Sequence, residues 1–119
     1  MKPATMYYKL VRDKVLDEID KDGLAYSATI LNDDESIITA LKDKIVEESE
    51  EFADSNCDIY ELADIFEVLI KIMKMKNITF TELKEARNKR IKDKGAFDNN
   101  VFLLFVENKD EPTIEFEEA

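Results

Sequence analysis

With 119 residues, the chain has room for one domain with a modest core. Its 28 Asp and Glu against 17 Lys and Arg give a net charge of −11, which repels a phosphate backbone and argues against intact nucleic acid as a partner. With no His, one Cys and two Gly, it cannot build a Ser-His-Asp or Cys-His nucleophile, a zinc site around Cys57 or a Gly-rich phosphate loop. Any chemistry falls to carboxylates and cations. A composition 45% hydrophobic and 38% charged, with only two Pro, points to helices with charged outer faces. No apolar run reaches the roughly 18 residues of a membrane span. The opening segment lacks the apolar core of a signal peptide, so a soluble, cytoplasmic protein is expected.

In chain order, a short first helix is expected from near Val11 through Leu16 and Ile19 to the breaker Asp22-Gly23. Residues 25–31 carry β-favouring side chains and read as a brief strand, and Asn32-Asp33-Asp34 follows as a helix-cap signal. Ile37, Ile38, Leu41, Ile45 and Phe52 recur at helical spacing and mark a second helix from about Asp34 to Asp54, interrupted by Ser55-Asn56. A third helix, from about Asp58 to Lys76, is apolar around most of its circumference, which places it centrally or in an oligomer interface. Thr79 and Glu82 have the spacing of a capping box for a fourth helix that runs to about Asp93 and stops at Gly95. Residues 101–106 read as a second strand able to pair with 25–31, and the acidic remainder reads as a partly ordered tail. The expected fold is all-α, four helices with a short two-stranded β ribbon, organised as a domain over 1–106 and a tail over 107–119.

The carboxylates break the helical pattern. At about 100° per residue, Glu48 falls among Ile37, Leu41, Ile45 and Phe52 on the stripe that should be buried, and Glu51 lies one turn on, beside it. Ser36, Thr39, Asp43 and Glu50 take the opposite, solvated face. On the third helix Glu61 shares a side with Ile65, Val68 and Ile72, with Asp64 at the border, whereas Glu67, Lys71 and Lys74 face water. A short link between the helices favours an antiparallel hairpin, on which these four acids converge.

Four carboxylates in a partly dry site raise one another's pKa values unless a cation neutralises them. Oxygen-only ligands favour Mg²⁺, with Mn²⁺ as a substitute, and Mg²⁺ keeps positions open for water and phosphates. Glu-rich helices are also common as plain solvated surfaces. On that reading the chain is a non-enzymatic acidic adaptor or cation-binding protein.

The pairs Glu48-Ser49-Glu50-Glu51 and Glu61-Leu62-Ala63-Asp64 resemble the ExxE and ExxD signature of the MazG-like all-α NTP pyrophosphohydrolases. Lys9-Leu10-Val11-Arg12-Asp13-Lys14-Val15 and Lys94-Gly95-Ala96-Phe97 are similar to segments of the phosphoribosyl-ATP pyrophosphohydrolase-like branch, although Lys94 stands where Arg is usual and Ala96 replaces a Gly. The resemblance spans about residues 8–106. It implies a four-helix MazG-like bundle that hydrolyses a nucleoside triphosphate, or a related nucleotide such as phosphoribosyl-ATP, between the α and β phosphates. The products are a monophosphate and pyrophosphate, in a house-cleaning or a biosynthetic role. It further implies Mg²⁺ on Glu48, Glu51, Glu61 and Asp64, with Glu47 or Glu48 as general base. Arg12, Lys14, Lys44, Arg90 and Lys94 are the candidate phosphate donors. The broad apolar face of the third helix suggests a homodimer or a dimer of dimers.

Overall fold

The computed structural model describes residues 2–108 and the backbone of 114 and 115. The chain is mostly helical. Among the described residues there are four helices, α1 (Val15–Lys21), α2 (Asp34–Asp54), α3 (Ile59–Lys76) and α4 (Phe80–Lys94), and two very short strands, β1 (Val106–Glu107) and β2 (Ile114–Glu115). The backbone forms two compact units, Met1–Thr79 and Phe80–Ala119. No described helix is long and apolar enough to cross a membrane.

In the first unit, α2 and α3 pack against each other as a hairpin. Each starts at an aspartate that offers its carboxylate to an orphan N–H of the first turn. Asp33 accepts from the Ser36 amide at 2.9 Å, and Asp58 accepts from the Tyr60 amide at 3.0 Å. The link at 55–58 is tight. Asn56 and Cys57 both take left-handed φ values, of 59° and 64°, and Ser55 Oγ donates to the Phe52 carbonyl while accepting from the Asp58 amide. These bonds carry the chain directly from the end of α2 into the cap of α3. Asn77, also left-handed, ends α3, and the Ile78 amide returns to the Met73 carbonyl at 2.9 Å.

Leu41 from α2 and Val68 and Met73 from α3 are the buried apolar residues, ringed by half-buried Ile37, Ile45, Phe52, Ile65 and Ile72. That is the stripe the periodicity selects. The rest of α3's apolar circumference is open, with Leu62 49% and Leu69 40% exposed.

Three expectations need correction. The first helix begins at Val15 rather than near Val11, because residues 9–12 are held by side-chain ion pairs to the hairpin and the chain turns at 13–14 before the helix starts. Residues 25–31 form no strand. A β-favouring sequence needs a neighbouring backbone to satisfy its N–H and C=O groups, and this segment pairs with no strand among the described residues and is nearly all exposed. The ribbon instead joins Val106 to Glu115 and Glu107 to Ile114 in antiparallel register, leaving 101–105 irregular. Of the acidic tail, 109–113 and 116–119 lie outside the described residues. In the second unit, α4 starts directly after Thr79 and stops at Gly95, whose φ of 83° is readily adopted only by glycine and whose amide bonds to the Ile91 carbonyl at 2.8 Å.

If the α2–α3 stripe is the core of this unit, Leu41→Ala should cost about 2–3 kcal/mol in denaturant unfolding. Lys42→Ala, one residue on and exposed, should cost less than about 0.5 kcal/mol.

Candidate metal centre

Among the described residues, Glu48 is the one charged residue with a buried side chain, only 7% exposed. It sits on α2 in register with Leu41 and Ile45, so the helix that buries those residues also drives a carboxylate into the hairpin. Its Oε1 is held by Lys44 Nζ at 3.1 Å, one turn earlier on the same helix. Its Oε2 is buried and has no hydrogen-bond partner among the described residues. Burying an oxygen without a donor is costly, and such atoms are rare in folded proteins.

Glu51 and Glu61 close around it. One carboxylate oxygen each from Glu48, Glu51 and Glu61 lies within 4.8 Å of the other two. Glu61 comes from the first turn of α3, where the helix dipole favours an anion, and its Oε2 is also buried without a partner. Glu51 stands in the last turn of α2, where the dipole disfavours an anion and no basic residue offsets it. Both carboxyls are pushed above the usual Glu range. For Glu51 the causes are loss of hydration, then contact with Glu48 and repulsion from Glu47 and Glu61. For Glu61 they are loss of hydration, then repulsion from Asp64 and Glu48.

The remaining candidates divide between two places. Asp64, one turn beyond Glu61, is outside the trio and takes a 2.6 Å ion pair from Arg12 Nη2. Glu47 is bound through both oxygens, by Lys9 Nζ at 2.6 Å and Lys44 Nζ at 3.1 Å. The Lys9 bond, opposed by partial burial and aided by Lys44, holds its carboxyl below the usual range. Lys44 is raised: burial penalises its ammonium, but the bonds to Glu48 and Glu47 outweigh that. Lys14 is exposed at the start of α1. Arg90 and Lys94 are exposed on α4, in the second unit.

Sequence reasoning missed Lys9. A signal existed: Lys9 belongs to the same Lys9–Val15 segment that supplied Arg12 and Lys14 as candidates. Glu50, assigned to water, is exposed as expected.

The donor set fits a hard divalent cation. It is all carboxylate oxygen, it converges from two helices, and it includes two buried oxygens with no proton donor. Comparisons with protein-family models, with curated proteins and with solved structures found no match.

The raised carboxyls have a consequence for pH. A carboxyl with a folded pKa above its unfolded value of about 4.5 withdraws stability as pH rises from 4.5 through the folded value. Glu47, shifted the other way, acts below that window, because its contribution is lost only as pH falls through its lowered value. In excess chelator, the melting temperature of a Glu51→Gln/Glu61→Gln double variant should therefore gain on the parent as pH rises above about 4.5. A difference that stays flat would mean the two carboxyls are not raised, and one that shrinks would mean they are stabilised as anions.

Proposed function

We propose that this chain is a MazG-like, divalent-metal-dependent nucleotide pyrophosphohydrolase that cleaves a nucleoside triphosphate, or a related nucleotide such as phosphoribosyl-ATP, between the α and β phosphates. The observation that carries the reading is the buried, donor-free oxygen of Glu48 among the oxygens of Glu51 and Glu61. A purely solvated acidic face gives no reason for a helix to bury a carboxylate in this way. The motifs around the trio are those whose resemblance implies this reaction.

Glu48, Glu51 and Glu61, joined by Asp64, would hold Mg²⁺ or Mn²⁺. The ion would supply neutralisation of phosphate charge and acidification of a nearby water. The chain's own residues do the rest. Lys44 fixes Glu48 through one oxygen and leaves the other available. Between the two candidate bases, Glu47 has both oxygens engaged by ammonium groups and a lowered basicity, which favours Glu48 as proton acceptor. Arg12, Lys14 and Lys44 are the proposed phosphate donors on the first unit; Arg90 and Lys94, on α4 of the second unit, are proposed from the resemblance alone. Clearance of unwanted nucleotides is the proposed role.

The second apolar face of α3 completes the proposal. Ile59, Leu62 and Leu69 line an exposed apolar groove that solvent does not favour, and a second copy of the chain is the proposed cover, as a homodimer or a dimer of dimers. Sedimentation should show an oligomer that Leu69→Asp shifts toward monomer, whereas a monomeric parent would remove this part of the reading.

Turnover should require a divalent cation, stop in excess EDTA and return with Mg²⁺ or Mn²⁺. Chromatography should find monophosphate and pyrophosphate; a diphosphate product would refute the assignment. Glu61→Gln should lower turnover by at least about 100-fold, beyond the usual cost of disturbing an outer-shell partner, with metal-free stability equal or higher because repulsion is relieved. Glu50→Gln, exposed on the same hairpin, should change little.

A further inference from the structure

The N-terminal motif is engaged in a way that a role in phosphate binding does not explain. Lys9 and Arg12 each hold one acid of the hairpin, Glu47 on α2 and Asp64 on α3, at 2.6 Å in both cases. The intervening backbone is irregular, so residues 9–12 form a strap staked to both helices. The two stakes differ in character. Glu47 is shared with Lys44, whose side chain is only 15% exposed, and this knot lies within the hairpin. The Arg12–Asp64 pair is much wetter, with side chains 57% and 35% exposed, and solvent-screened pairs of that kind are weak.

Asp64 is also the acid left out of the trio. It stands one helical turn from Glu61, close enough to raise the Glu61 carboxyl, yet its oxygen is taken by the guanidinium. Among the described residues, five acids, Glu47, Glu48, Glu51, Glu61 and Asp64, meet three cations here, Lys9, Arg12 and Lys44. The cluster is short of positive charge, and Arg12 is the most exposed of the three cations covering it.

We propose that Arg12 is a latch on this site: with no divalent cation bound it holds Asp64 beside Glu61 but outside the Glu48, Glu51 and Glu61 trio, and cation binding draws Asp64 in and releases Arg12. The inference rests on the metal reading above and adds an order of events. The guanidinium becomes available to phosphates only after the cation has arrived, so the nucleotide meets a donor and a neutralised site together. Lys9 keeps its hold on Glu47 throughout, so the strap pivots rather than detaches.

The test uses the full chain with Mg²⁺ and Mn²⁺ alone. Side-chain nitrogen NMR of the wild type, with the Arg12 signal assigned by its loss in Arg12→Gln, should show a hindered, hydrogen-bonded guanidinium in chelator. That signal should collapse to a freely rotating one at Mg²⁺ saturation. In Mn²⁺ titrations Arg12→Gln should bind about two- to fivefold more tightly than the parent, since the competing pair is a weak surface one. Lys21→Gln removes the same charge from an exposed side chain on α1 with no ion pair among the described residues, and should bind like the parent. A wild type that binds neither ion overturns the metal reading and the latch with it. If the wild type binds but the Arg12 signal does not move, or if Lys21→Gln tightens binding as much as Arg12→Gln, the latch alone is overturned.

Discussion

Placing a carboxylate between two apolar helices is unfavourable unless something neutralises it, and Glu48 sets that problem in the middle of the α2–α3 hairpin. Lys44 answers half of it through one oxygen. The other oxygen, with the buried oxygen of Glu61, is left without a donor. The neighbouring acids make matters worse rather than better, as the raised carboxyls of Glu51 and Glu61 record. The arrangement is coherent when a divalent cation is the missing partner, and it is an unrelieved cost when none is.

Local structure holds this geometry in place. The Asp33 and Asp58 caps fix where the two helices begin, and the left-handed turn at Asn56 and Cys57 allows a link short enough to bring the end of α2 against the start of α3. Glu51 in a last turn and Glu61 in a first turn then meet at the same end of the hairpin. A longer link would leave that register loose. Ion pairs at the rim involve Lys9, Arg12 and Lys44, and their strength falls with exposure, so the pair that covers Asp64 is the one most easily exchanged.

The hairpin was largely legible in the sequence. Amphipathic spacing and aspartate caps are local, and they placed α2 at Asp34–Asp54 and α3 within a residue of its start, with Glu48 on the inward stripe and Glu50 outside. Non-local pairing was not legible. Lys9 meets Glu47 across 38 positions and Arg12 meets Asp64 across 52, and no periodicity encodes such contacts. The same limit explains the ribbon: β-favouring residues at 25–31 and 101–105 have no partner strand among the described residues, while the short pairing that forms lies further along the chain at 106–107 and 114–115. A local pattern shows which residues are suited to an element, but the presence of a neighbour is a property of the whole fold.

Glu48, Glu51 and Glu61 are proposed to form one cation site. Crystals of the full chain grown with Mn²⁺ test it most directly, through anomalous scattering from the ion. A peak is expected within coordination distance, about 2.0–2.3 Å, of oxygens from all three glutamates, in the oxygen-rich shell that hard cations take. A peak confined to exposed surface acids such as Glu50, or none at saturating Mn²⁺, would contradict it.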